Sequence, residues 1–226
     1  MSIRKAKPAF YSLFAVIPLC GALLSFIFGG AGVSKAQTVK TLVAAPNCDA
    51  PCLFGQSLNG ATYSQVRELL ETSSWTKGAE ITFDAGNISW RWPEAAVHQV
   101  VSPEYPGLSQ FRDVNYIDFQ NGIVQKIVIV FSLPIKDIIA EFGDDFDVYP
   151  FAYYGRFTTY ALVYRSLGGE IFEAMVDCQN PQITPDTLVM NYYYRYGLSS
   201  EIATKNPIRW QGYTTQLPDC SAFQPQ

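Results

Sequence analysis

Histidine is almost missing from this sequence: among 226 residues only His98 carries an imidazole. A single histidine makes no catalytic triad without a recognisable nucleophile, and no Gly-x-Ser-x-Gly sequence is present. His98, between Val97 and Gln99, reads as a loop histidine. A basic excess is missing too. The formal net charge is −4, which argues against a nucleic-acid partner, because such a partner needs a basic stripe to displace counterions. No Gly-rich phosphate loop occurs. Asp144, Asp145 and Asp147 lie together but lack the alternating ligands and closing Glu of a calcium loop, so they read as a solvated acidic turn. Glu68, Glu71, Glu141 and Glu173 show no pairing that would suggest acid–base work. No catalytic residue, cofactor or metal ligand is assigned, and the chain reads as a non-enzymatic binding or assembly module, with an unrecognised hydrolase as the lesser alternative. What the composition does offer is aromatic side chains, 15% of the total. Rings fit a pleated, half-buried surface, which favours a β-rich globular domain.

Long apolar runs are confined to the N-terminus. Arg4, Lys5 and Lys7 precede an uncharged stretch from Phe10 to Phe28. That pattern is an export signal, with the positive flank on the cytoplasmic side. Its length approaches a membrane span, while Ser34-Lys35-Ala36 offers small residues for cleavage before Gln37. Residues 1–36 are therefore a signal peptide or a signal anchor. Cys20 is an apolar residue of this stretch, since bulky Leu19 precedes it where a lipoprotein signal needs a small side chain. Residues 37–47 lack periodicity and end in Ala-Ala-Pro-Asn, a linker pattern. About 190 residues remain beyond the export segment, enough for one domain or two small halves.

Cys48, Cys52, Cys178 and Cys220 would lie beyond the membrane. An even count in an oxidising compartment predicts disulfides. Zinc would need tight pairs, and only 48/52 is one, even with His98 as a substitute ligand. A redox site would need Cys-x-x-Cys at a helix start, whereas three residues separate this pair. Cys48–Cys52 and Cys178–Cys220 is the pairing read here, with Cys48–Cys220 and Cys52–Cys178 as the alternative.

Thr62 to Thr72 predicts a helix, with a Thr62/Gln65 capping box and Val66, Leu69 and Leu70 on one apolar face. Residues 80–84 and 87–92 flank Ala85-Gly86 as a hairpin ended by Pro93, and a Pro-rich loop follows at 102–107. Asn121-Gly122 between two apolar runs predicts a type I′ hairpin. Leu133-Pro134 opens a second helix with Ile135, Ile138, Ile139 and Phe142 inward and Gly143 as a left-handed cap. Strands follow around 148–151, 158–165, 170–176 and 187–196, with Leu167-Gly168-Gly169 as a turn. Helix then antiparallel strands occurs twice. The fold class is α+β, a tandem pseudo-repeat of modules 48–132 and 133–226 after the export or anchor helix.

Gly60-x-Thr62-x-x-x-Val66-x-x-Leu69-Leu70 resembles the turn and first helix of outer-membrane-assembly lipoproteins of the SmpA/OmlA type. It also resembles the repeats of the β-lactamase inhibitory proteins, which pack helices on a four-stranded antiparallel sheet in tandem. The run Cys48-x-x-Pro51-Cys52-Leu53-x-Gly55 before that helix is similar to a set of uncharacterised exported bacterial proteins. Ile138-x-x-Glu141-Phe142-Gly143 looks like their second module. Leu53 and Asn59 depart from the tryptophan and proline usual there, and the acylated cysteine of the lipoproteins is absent. The resemblance implies the α+β modules and no particular target.

Two sets of tyrosines bear on function. Tyr160, Leu162 and Tyr164 alternate, as do Met190, Tyr192, Tyr194 and Tyr196. They read as core and sheet surface, or else as an aromatic platform for a protein or glycan. In the last strand the apolar set is predicted inward, leaving Asn191, Tyr193 and Arg195 outward. Tyr and Arg are enriched where interfaces concentrate their energy, so Tyr193 and Arg195 are the candidate partner-binding residues. The expected partner is an envelope or extracellular protein, with the membrane itself engaged only through an uncleaved N-terminal helix. Asn87-Ile88-Ser89 is a glycosylation sequon without meaning in an ordinary bacterium.

Overall fold

The computed structural model describes residues 33–102, 114–154, 156–165, 170–195, 206–218 and 220, without the side chains of Tyr153, Tyr154 and Arg195. The apolar run at 10–28, nearly all of the Pro-rich loop, the turn at 167–169 and Tyr196 lie outside the described residues. Among the described residues, no helix is long and apolar enough to cross a membrane.

The segment read as a linker is instead largely helical. Helix α1 covers Lys35–Val43. Ser34 caps it, its Oγ accepting from the Gln37 N–H at 3.0 Å, as short hydroxyls do at helix starts. Ala36, Val39, Leu42 and Val43 are buried. Their spacing of three and four puts them on one face, which the interleaved Lys and Thr disguise. The Lys35 ammonium donates to the Val101 carbonyl and that of Lys40 to the Glu141 carbonyl.

Strands β1 (Cys52–Leu53) and β2 (Gln56–Ser57) form a minimal hairpin. Helix α2 (Tyr63–Thr72) buries Val66, Leu69 and Leu70 as predicted. Its capping box is present, the Thr62 N–H donating to Gln65 Oε1 at 2.8 Å. The first predicted hairpin is β3 (Ile81–Asp84) with β4 (Asn87–Trp90). Pro93 does more than end a strand: it caps helix α3, Glu94–Val100, which buries Ala96 and Val100. His98 is thus an exposed helical residue, not a loop one.

Strands β5 (Asn115–Gln120) and β6 (Ile123–Pro134) flank Asn121 and Gly122, whose φ of 54° and 78° are the two positive values the turn requires. Helix α4 (Ile135–Phe142) buries Ile135 and Ile138, while Ile139 and Phe142 are half-buried against the same core. Its end differs from the expected left-handed cap. Gly143 has φ 86° but ψ −175°, an extended conformation that only glycine adopts readily. The rest is β7 (Phe146–Tyr154), β8 (Phe157–Tyr164), β9 (Ile171–Asp177), β10 (Leu188–Arg195) and β11 (Ile208–Arg209).

All but β1 and β2 join one antiparallel sheet in the order β11-β7-β8-β9-β10-β6-β5-β4-β3. The fold class is α+β. Strands β3 to β6 run as one meander and β7 to β10 as another, and their last strands, β6 and β10, pair in the middle. The expected modules 48–132 and 133–226 therefore share a single sheet. The central place of β6 explains its unbroken run Ile127-Val-Ile-Val-Phe131: a strand buried on both faces need not alternate.

The four helices bury their apolar residues in one cluster with one sheet face, including Ile88, Trp90, Ile117, Ile127, Ile129, Phe131, Leu162 and Phe172. Phe172 is ringed by Phe131, Phe142, Tyr164 and Tyr192 at centroid distances of 6.0, 4.8, 5.4 and 5.6 Å. Cys48 is bonded to Cys52 and Cys178 to Cys220. The first bridge closes the loop before Phe54, whose ring packs 6.5 and 6.2 Å from Trp90 and Trp92. The second ties the C-terminal segment down, where Trp210 stacks on Phe146 at 5.0 Å.

Candidate functional site

The sheet has a second face, opposite the helices. Ladder register places Tyr149, Ala161, Glu173 and Asn191 in one row across β7 to β10, and Val163, Ile171, Tyr193 and Val128 in the next. Ala161, Val163 and Ile171 form a small buried cluster with Tyr149, Phe151 and Tyr193 packed against it. The Phe151 ring lies 5.6 Å from that of Tyr193.

A carboxylate sits in the middle of these rings. Glu173 is 2% exposed. Its Oε2 accepts from Asn191 Nδ2 at 2.7 Å and from the Tyr193 hydroxyl. Asn191 Nδ2 also donates to the Tyr193 oxygen at 3.2 Å. Two donors from one strand thus hold an acid on its neighbour, as a buried polar group requires. The result is a buried carboxyl bordered by half-buried rings.

This placement refines the reading of the last strand. Tyr193 does face away from the main core, but it is half-buried and bonded to Glu173 and Asn191. Arg195 pairs with Lys126 in the ladder, and its side chain lies outside the described residues. Tyr192 is fully buried and Tyr194 packs on the main core, as predicted. Met190 does not join them. The register slips between Val189 and Asn191, so one extra residue breaks the strict alternation. Val189 takes the core position instead, at 0% exposure.

The tyrosines of β8 are core. Tyr160, Leu162 and Tyr164 are all buried. Their hydroxyls are used inside the protein, Tyr160 donating to Pro218 O at 3.2 Å and Tyr164 to Gly143 O at 3.1 Å. Burial raises the Tyr164 phenol well above its ordinary range, so it stays protonated. An aromatic platform therefore draws on Tyr149, Phe151 and Tyr193 rather than on β8.

The remaining candidates are structural or solvated. Arg165 donates to Asp145 at 2.8 Å and to Asp147 at 3.1 Å, so the acidic turn is charge-paired. Phe146, Arg209 and Trp210 join it around an open hollow of about 430 Å³. Among the described residues, no group of three or more His, Cys, Asp or Glu is arranged to hold a metal ion. Glu71 pairs with Arg67. Glu141 accepts from the Ser34 hydroxyl at 3.1 Å. Asn87 of the sequon lies within β4 and donates to Asp118 at 2.6 Å. No family model matches this chain, nor does any curated protein or solved structure.

Proposed function

We propose that this chain is an extracytoplasmic, non-enzymatic binding or assembly module for an envelope or extracellular protein. The observation that carries the reading is the Glu173–Asn191–Tyr193 network set among half-buried rings on the face opposite the helices. Rings and a preorganised polar centre on a rigid sheet are what interfaces use for their strongest contacts. Two disulfides accord with an oxidising compartment. The two helix-plus-meander halves, joined edge to edge at β6 and β10, are read as a tandem repeat, in line with the resemblance to two-module inhibitory and assembly proteins. Retention of the N-terminal segment as an anchor is favoured over cleavage after Ala36. That cut would remove the Ser34 cap and split the first turn of α1, in which Ala36 is 1% exposed.

Crosslinking of the full chain in envelope extract tests the reading. A protein captured by wild type should be captured at least tenfold less tightly by Tyr149→Ala with Phe151→Ala, a change of about 1.4 kcal/mol. Equal capture would move the binding surface elsewhere. A glycan ligand is the second reading, favoured by the acid and amide beside the rings. It predicts saccharide-dependent quenching of Tyr fluorescence that the same double change abolishes.

A further inference from the structure

Glu170 lies one residue before β9 and faces the main core. It is 1% exposed. Its Oε1 accepts from the Tyr192 hydroxyl on β10 at 2.6 Å. Its Oε2 is buried without a hydrogen-bond partner. Tyr192 is itself fully buried, its ring 5.6 Å from Phe172. Among the described residues, the titratable side chains nearest this pair are Tyr194 on β10 and Tyr164 on β8, and burial keeps the Tyr164 phenol protonated. The adjacent cation, Arg165, is turned towards Asp145 and Asp147. This carboxyl is one that neither the binding face nor the disulfides require.

We propose that Glu170, seated beneath Tyr192, is a proton-dependent latch at the β9–β10 seam: the seam is most stable when Glu170 holds its proton, and the cost of burying the ionised carboxylate, which the Tyr192 bond offsets only in part, loosens it. A desolvated carboxylate with one neutral donor and one orphaned oxygen is far more costly than the neutral acid. Burial accordingly pushes the Glu170 carboxyl up to about 7, with the Tyr192 bond acting in the opposite direction. The folded state thus holds this proton more tightly than the unfolded chain does, where glutamate titrates near 4.5. The latch contribution is fully present below that lower value and is lost as the pH rises through about 7. The gap corresponds to roughly 300-fold in the folded-to-unfolded ratio. The latch does not depend on what the opposite face binds.

Denaturant unfolding of the full chain between pH 5 and pH 9 tests it. Wild type should lose about two orders of magnitude in the folding constant over that range. Glu170→Gln should lose much less, since its amide does not titrate. An equal loss in both proteins overturns the latch. Should Glu170→Gln not fold, direct titration of the wild-type carboxyl by isotope-edited infrared decides: a midpoint near 7 supports the latch, and one below 5 overturns it. Tyr192→Phe removes the bond that favours the ionised form, so it should move the midpoint higher still. An unmoved midpoint would remove Tyr192 from the latch and overturn the proposal.

Discussion

Glu170 and Glu173 stand three residues apart and face opposite sides of one sheet, each almost fully buried. Glu170 looks into the large core and receives one hydroxyl, from Tyr192. Glu173 looks away from the helices and receives an amide and a hydroxyl, from Asn191 and Tyr193. The same residue type is therefore treated differently by the two faces. On the helix side, the second oxygen of the acid has no hydrogen-bond partner. On the other side, β10 spends two residues on supporting an acid. The second face satisfies its buried acid with two side chains of β10, whereas the helix side leaves one oxygen of its acid without a partner.

The largest expected effect separates the two faces directly. Phe172→Ala on the helix side should destabilise by about 3–5 kcal/mol through lost transfer energy and a cavity among four rings. Val163→Ala on the opposite side should cost only about 1–2 kcal/mol, because it removes two methyl groups from a small cluster. Equal costs in denaturant titrations would make the second face another core, not a presenting surface. Replacing Cys178 and Cys220 by Ser tests how far the helix side needs its C-terminal cover. The bridge spans 42 residues, and the chain-entropy model gives about 4 kcal/mol, against about 2 kcal/mol for the bridge spanning 4 residues, Cys48–Cys52. Thermal melts of the two double variants should rank in that order. Tyr193→Phe takes one donor from Glu173 and should cost about 1–3 kcal/mol. No cost would mean that the acidic centre is not held by Tyr193. Last, Arg156→Gln breaks an exposed pair with Asp177 and a surface contact with the Phe157 ring and should shift the melting temperature least of all.

Much of this architecture can be read from short-range patterns. The α2 face, the Asn121-Gly122 turn and the α4 face each depend on residues a few positions apart, where spacing and turn chemistry act directly. The pairing of Cys48 with Cys52 is local in the same way. The two unforeseen helices are short. Polar residues interrupt the apolar face of α1, and in α3 Pro93 marks both a strand end and a helix start. The binding-face candidate was half legible. Alternation put Tyr193 on the correct side, but Glu173 lies 20 residues earlier in the chain, and only sheet register brings them together. The bulge beside Met190 was hidden for the same reason, since alternation alone carries no mark of a skipped residue.

The Cys178–Cys220 bridge has a mechanical consequence. Strand β10 lies in the middle of the sheet, yet residues 179–219, which include it and β11, hang as a closed covalent ring. Tension applied between the two ends of the chain passes from Cys178 straight to Cys220. The ring carries none of it while the bridge holds. Stretched to failure, the oxidised protein should give a contour shorter than that of a variant with Cys178 and Cys220 replaced by Ser by roughly 140–150 Å, the length of 42 extended residues. A protein held at one end by a membrane and at the other by a partner would thus keep its central strand out of the line of force.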